Sequence, residues 1–245
     1  MSNKNYELNK VTKIETIKEM MQLAVKEAGD KIAFEYRNPN NKEEIIKVTY
    51  REFENDTNYL GTALSTIVSH DTHIAIIGDN SYDWLTVYLS VLKSNHVFVP
   101  IDKELTKQEI FNVLKSSDSE VIFYAEKYEK YIEECKKEVP NIKYYVGLDR
   151  AENEGNILSY KLLKEEGKKL LEKGDTSYTS IEHKDTNTLK LLVYTSGTTG
   201  NPKGVMLTEH NLVSAVYYGL QVAEIKTKCL SVLPYHHTYE SVVEY

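Results

Sequence analysis

The amino-acid sequence predicts an α/β protein with mostly parallel sheets flanked by helices. Between His73 and Gly147 short apolar runs alternate with segments of helical period. That is the pattern of strands buried on both faces and joined by helical crossovers. The chain has 245 residues, 41% of them hydrophobic and 27% charged. At this length folding buries roughly 70–75% of the surface of the unfolded chain, enough for a full core without disulfides or a structural metal.

Each element has its own local signal. Residues 12–28 place Ile14, Ile17, Met21, Val25 and Ala28 at helical spacing, with Gly29 following as a stop. Two β-type runs, Lys31–Arg37 and Glu43–Thr49, flank the turn Asn38-Pro39-Asn40-Asn41. Thr49 and Glu52 form a capping box ahead of an amphipathic helix that carries Phe53, Leu60, Leu64 and Ile67. Strands are then predicted at His73–Gly78, His96–Ile101, Glu120–Tyr124 and Ile142–Gly147. Helices are predicted between them at Tyr82–Lys93, Lys107–Ser117 and Glu126–Val139, the second opened by a Thr106–Glu109 capping box. Such alternation gives right-handed crossovers and a doubly wound sheet. Residues 157–173 read as one more helix with Lys and Glu on its exposed face. Trp84 shares a helical spacing with Tyr88 and Val91, which marks it as core.

The run Gly174–Thr186 is polar and aperiodic. The expected organisation is an N-terminal α/β subdomain over 1–173, a linker over 174–187, and the start of a second α/β subdomain over 188–245. This last part reads as a strand at Thr188–Tyr194, a Ser/Thr/Gly loop, a helix over 208–222 and a strand at Lys228–Leu233.

Composition removes several function classes. With 30 basic and 37 acidic residues the formal charge is −7, against the basic stripe that a non-specific nucleic-acid binder needs. The stretch Asn211–Ala223 is the longest without charge, and it is too short and too polar to span a bilayer. Met1–Tyr6 lacks the apolar core of a signal peptide. Cys135 and Cys229 stand far apart without a metal-type spacing, as suits a reducing cytoplasm. His236, His237 and Glu240 invite a metal reading, but adjacent histidines face different ways and no third ligand is close in sequence. No metal site is expected.

The chemistry is concentrated in Tyr194-Thr195-Ser196-Gly197-Thr198-Thr199-Gly200-Asn201-Pro202-Lys203-Gly204-Val205. Glycines let successive backbone N–H groups turn toward an anion, and each hydroxyl can donate to a phosphate oxygen. Lys203 adds a positive charge, and charge-assisted bonds of this kind contribute roughly 1.5–3 kcal/mol each. The string is not a Walker A loop, because Gly204 and Val205 follow the lysine where Ser or Thr is required. Nor is it a nucleophile elbow, since Tyr194 stands two positions before Ser196.

This ordered string resembles the phosphate-binding signature of the adenylate-forming, AMP-binding enzymes, which include acyl-CoA synthetases, peptide-synthetase adenylation domains and luciferases. Val48-Thr49-Tyr50-Arg51-Glu52-Phe53 is similar to an early element of that family. Leu92-Lys93-Ser94-Asn95-His96-Val97-Phe98-Val99-Pro100-Ile101-Asp102 is similar to another, with Ser94-Asn95 in place of the usual Ala-Gly. Leu233-Pro234-Tyr235-His236-His237-Thr238-Tyr239-Glu240 resembles the element that brings a histidine and an aromatic residue to the acyl group. Its form is most like that of long-chain fatty acid–CoA ligases.

The resemblance implies the N-terminal part of the adenylate-forming fold, with the large domain incomplete. It also implies a reaction in which a fatty acid or other carboxylic acid attacks ATP to form an acyl-adenylate and pyrophosphate, after which CoA displaces AMP. ATP, Mg2+ and CoA are the implied cofactors and co-substrates. By the same resemblance Thr195, Ser196, Gly197, Thr198, Thr199, Gly200 and Lys203 hold the β- and γ-phosphates. His237 then steers the carboxylate, with Tyr239 beside the acyl channel. A cytoplasmic location follows, with peripheral membrane contact compatible. The family's later elements, which hold adenine, ribose and the metal, are not found. The expectation is therefore a fragment cut at Tyr245 and inactive by itself. Two alternatives remain open at this point: a non-catalytic module that binds acyl groups or a partner, and an adenylating enzyme that loads acyl carrier protein.

Overall fold

The computed structural model describes residues 8–195, 203–223 and 228–236. The expected parallel α/β core is present. The strands β3 (His73–Ile77), β4 (Val97–Pro100), β5 (Val121–Tyr124) and β6 (Tyr144–Gly147) are buried along nearly their whole length. With the short β7 (Ile157–Ser159), β8 (Leu189–Thr195) and β9 (Lys203–Thr208) they form one sheet in the order β7-β6-β5-β3-β4-β8-β9. Every pair is parallel except β8 with β9. An antiparallel hairpin, β1 (Ile32–Asn38) and β2 (Asn41–Thr49), stands apart as a second sheet.

The period-two alternation of the strands sends their side chains into two separate cores. Ile74, Ile76, Phe98, Val121 and Phe123 face α1 (Ile17–Ala28), α2 (Tyr50–Ile67), α3 (Tyr82–Leu92) and α6 (Tyr160–Glu172). Ala75, Ile77, Val97, Val99 and Ile122 face α4 (Lys107–Ser116) and α5 (Ile132–Glu138). Every residue of α3 except Asp83 is buried, because the helix is apolar almost all round and lies beneath α2. Trp84 is in this core against Tyr88 and Phe98. Cys135 is also buried, and burial pushes its thiol up to about 11, whereas Cys229 is exposed.

Both capping boxes form: Thr49 and Thr106 accept from the backbone N–H of Glu52 and Glu109, whose carboxylates reach back to the caps. Removing one such cap typically costs about 1 kcal/mol. A third box, Thr208 with Asn211, opens α7 (Glu209–Val222).

Several boundaries differ from the sequence reading. The N-terminal helix starts at Ile17, not at 12, because Thr16 caps it by accepting from Glu19 N. The helix expected over 126–139 is a 3-10 turn, Glu126–Tyr131, followed by α5, since Tyr128 turns inward to donate its hydroxyl to Lys103 O at 3.2 Å. The helix expected from 157 begins at Tyr160. Ile157 and Leu158 instead add β7 to the sheet, and Ser159 caps α6. The strand expected at Lys228–Leu233 does not form. The run pairs with none of the strands and leaves Leu230 and Val232 85% and 69% exposed. β-type residues make a strand only where a ladder partner is in reach.

The segment 174–187 is pinned along its length. Tyr178 is buried and donates to Ser90 O at 2.9 Å, and Lys18 Nζ donates to Thr179 O and Ile181 O, both at 2.7 Å. His183 sits with Nδ1 at 2.7 and 2.8 Å from the two Glu209 carboxylate oxygens and Nε2 at 3.1 Å from Lys93 O. Glu209 in turn accepts from Ile17 N at 2.9 Å, which ties the start of α7 to the start of α1. Beyond this segment, β8 joins the same sheet beside β4.

His96, buried just before β4, gives the fold a pH dependence. Its Nδ1 has no hydrogen-bond partner, and burial, with smaller effects from the neighbouring His70 and Lys190 charges, lowers its pKa to about 4. The unfolded chain binds this proton near 6.5 and the folded chain only near 4. Stability from His96 is therefore fully present above 6.5 and lost as pH falls toward 4, a swing of about 3 kcal/mol. His96→Gln removes the titration. Denaturant melts at pH 4.5 and 7 are expected to differ less for the variant than for the parent, and an unchanged difference would remove His96 from this role.

Candidate functional site

The residues flanking the Ser/Thr/Gly string are the facing ends of a hairpin. β8 and β9 pair antiparallel with Thr195 opposite Lys203, Tyr194 opposite Gly204 and Val193 opposite Val205. The sequence reading ran this loop directly into a helix and missed β9, although Val205-Met206-Leu207-Thr208 has strand composition. Gly204 packs closely against its neighbours: a Cβ there would lie 2.9 Å from Leu192 Cδ1 and 3.4 Å from the Tyr194 ring, so the Leu192 side chain would have to shift. On the far side Ser116 Oγ donates to the Tyr194 hydroxyl at 3.0 Å, which fastens β8 to the end of α4. β9 runs into Thr208, the cap of α7, and the buried Glu209 anchors that helix.

Of the expected phosphate-binding residues, Thr195 and Lys203 are thus brought together as a strand pair, and both are exposed. Among the described residues no carboxylate pairs with Lys203. Ser196, Gly197, Thr198, Thr199 and Gly200 lie outside the described residues, as do His237 and Tyr239.

The sheet brings a second group of residues to the same edge. β8 runs parallel to β4 with Leu191 opposite Phe98, so its carboxyl end at Thr195 points the same way as the carboxyl ends of β3 and β4. Just beyond those two ends stand Asn80 and Asp102, and the described part of the histidine element rests on them. Asn80 Nδ2 donates to Leu233 O at 2.6 Å, and Tyr235 N donates to Asn80 Oδ1 at 3.1 Å. His236 Nε2 is 3.2 Å from Asp102 Oδ1. The Tyr235 ring packs on Trp84 with centroids 5.3 Å apart. The sequence reading passed over Asn80 and named Asp102 only as the last residue of a family-like element, without a role.

The crossovers diverge between β3 and β5, with β4 standing between that point and β8. The chain leaves β3 through α3 toward β4, while β5 leaves toward β6 on the other side. In open α/β sheets ligands bind outside the carboxyl ends of strands whose connections diverge in this way. At that divergence Asp79, just after β3, accepts from Lys103 at 2.7 Å and Lys127 at 3.0 Å, and these lysines hold its carboxyl below the usual range. Among the described residues no group of three His, Cys, Asp or Glu converges as a metal site. No helix among them is long and apolar enough to cross a membrane.

The sheet thus carries, between its last two strands in the sequence, the Ser/Thr/Gly string, and at its carboxyl edge the Tyr-His segment. The AMP-binding enzyme family matches residues 21–245, and the chain belongs to it. It is 28% identical over 234 residues to a chloroplastic long-chain-fatty-acid–acyl-carrier-protein ligase of Arabidopsis thaliana, covering 89% of this chain and 32% of that protein. It is 27% identical over 247 residues to long-chain-fatty-acid–CoA ligase 5 of Rattus norvegicus, covering 94% and 35%. The fold matches that of a Mycobacterium tuberculosis fatty acyl CoA synthetase with a TM-score of 0.75 at 19% identity, over 94% of this chain and 42% of that one. The chain spans about a third of the length of the curated relatives it matches.

Proposed function

We propose that this chain forms the N-terminal part of an enzyme that activates a carboxylic acid as its adenylate and then passes the acyl group to a thiol. The acid is a long-chain fatty acid and the acceptor CoA. One observation supports this reading: Thr195 and Lys203, which flank the Ser/Thr/Gly string in the sequence, pair at the carboxyl edge of the sheet, where the Tyr235-His236 segment also rests.

A carboxylate is a poor electrophile, so its oxygen attacks the α-phosphorus of ATP. A new P–O bond forms, and the bond to the bridging oxygen breaks to release pyrophosphate. Charge then accumulates on the leaving group, and positioned donors lower the barrier by meeting it there. Thr195 and Lys203, with Ser196, Gly197, Thr198, Thr199 and Gly200, are assigned to that task, and His237 and Tyr239 to the carboxylate and acyl side. In the second half the thiol sulfur attacks the acyl carbon, AMP departs, and the thiol proton passes to solvent. The Mg2+ that accompanies ATP is assigned to groups outside the described residues.

The two relatives differ in acceptor, one named for CoA and the other for acyl carrier protein, which keeps the carrier protein as a second reading. A cytoplasmic location is part of the same proposal, motivated by the two unpaired cysteines.

The test is exchange of labelled pyrophosphate into ATP, measured with acids of graded chain length. The 245 residues alone are expected to show none. A protein that joins them to the remainder of the family fold is expected to exchange only when acid is present. CoA and acyl carrier protein, supplied in turn, then distinguish the acceptors. Robust exchange by the 245 residues alone would contradict the assignment of this chain as an incomplete part.

A further inference from the structure

We propose that Asn80 and Asp102 are positioning residues that hold Leu233–His236, the described part of the histidine element, at the carboxyl ends of β3 and β4. The inference rests on the function proposed above. Residues 228–236 have no helix or strand of their own, and Leu230 and Val232 pack on nothing that buries them. Its start is tied by Lys228 to Glu35 at 2.7 Å, and its end by side-chain contacts with Asn80 and Asp102.

Asn80 makes two of these contacts. A planar amide offers one acceptor and two donors, and here it takes the N–H of Tyr235 and gives to the C=O of Leu233, two residues earlier. It thus stands in for the edge of a neighbouring strand. Asp102 makes the third, with Oδ1 3.2 Å from His236 Nε2, and the Tyr235 ring packs on Trp84.

The two jaws are also fixed relative to each other. Asp79, next to Asn80, is bound to Lys103, next to Asp102. Ser81, on the other side of Asn80, caps α3 by accepting from Trp84 N at 3.1 Å. Asp102 Oδ1 additionally accepts from Glu104 N at 2.9 Å, which holds its carboxylate in place. Asn80 and Asp102 thus project from a rigid frame at the carboxyl ends of two adjacent strands. His236 is carried there, one residue before the histidine assigned to the carboxylate.

Two readouts test this. Amide exchange on the 245-residue chain reports the clamp. Asn80→Ala is expected to speed exchange of the Tyr235 N–H by about tenfold or more, with the melting temperature nearly unchanged. Adenylation kinetics in the chain joined to the rest of the fold report its use. Misplacement of a reacting partner by about 1 Å can cost on the order of 100-fold in rate. Asn80→Ala is therefore expected to lower kcat by about 10- to 100-fold and raise KM for the acid, leaving KM for ATP as it was. Asp102→Asn keeps Oδ1 as an acceptor and should lose less activity than Asp102→Ala. Undisturbed protection of Tyr235 in Asn80→Ala overturns the proposal. So does lost protection with unchanged kcat, or a change in KM for ATP equal to that for the acid. Absence of acid-dependent exchange in the unsubstituted protein would strike the proposed function alone, and the Tyr235 protection would still decide whether Asn80 holds the element.

Discussion

Replacing Lys203 with Ala, in the chain joined to the rest of the family fold, is expected to slow adenylation by about 10²–10³-fold, the usual consequence of deleting one positioned charge-stabilising donor. Lys203 opens β9 directly opposite Thr195. It is exposed and has no carboxylate partner among the described residues, so its loss leaves no buried charge uncompensated. The fold should be indifferent to the substitution, and any kinetic effect then reports ligand contact. Acid binding should persist, because the acyl-side residues belong to a different segment. Lys203→Arg separates charge from shape: it restores the positive charge but not the compact ammonium, and should recover only part of the rate. Pre-steady-state release of pyrophosphate measures the step, and unchanged kinetics in Lys203→Ala would remove Lys203 from the phosphate grip.

The largest effect on stability is expected at Gly167. Helix propensity alone says that Gly167→Ala should stabilise α6 by about 0.5–1 kcal/mol. Packing reverses the sign. A Cβ at Gly167 would lie 1.8 Å from Tyr59 O, 2.8 Å from Tyr59 C and 2.9 Å from Ala63 N. All three are backbone atoms of α2, so no side chain can rotate away, and the two helices would have to separate. They pack more extensively than any other helix pair in the described fold, and separating them would disturb the Lys164–Asp56 pair and the core beneath. The expected cost is about 3 kcal/mol or more, at the upper end for overpacking. Gly219 in α7 supplies the control, because a Cβ there meets nothing within 4 Å. Gly219→Ala should therefore stabilise by about 0.5–1 kcal/mol. Urea melts of the two variants should move in opposite directions, and a stabilised Gly167→Ala would show that α2 and α6 do not approach as closely as described.

The parallel core is legible in the sequence because β3 to β6 are buried on both faces, so their apolar runs stand out without alternation. Capping boxes at Thr49 and Thr106 are legible because both partners lie within one turn of each other. What stays hidden depends on residues far along the chain. β7 is only three residues long and merges into the helical pattern that follows it. β9 is mostly exposed, with no apolar face to mark it. The run at 228–233 has strand composition, but that composition says nothing of whether a ladder partner is near. At the candidate site the string proposed to bind phosphate is legible through the order of its glycines and hydroxyls in the sequence. Asn80 does not, since an asparagine after a strand is an ordinary turn residue, and its partner Leu233 lies 153 positions away.

The most direct measurement follows one atom. If the enzyme joins the carboxylate oxygen to the α-phosphorus and the thiol later displaces AMP, one oxygen of the acid must leave on AMP. A fatty acid labelled with heavy oxygen in its carboxylate, turned over with ATP and CoA by the chain joined to the rest of the fold, is predicted to give AMP carrying one labelled oxygen. Unlabelled AMP, or label recovered in inorganic phosphate, would contradict formation of an acyl-adenylate.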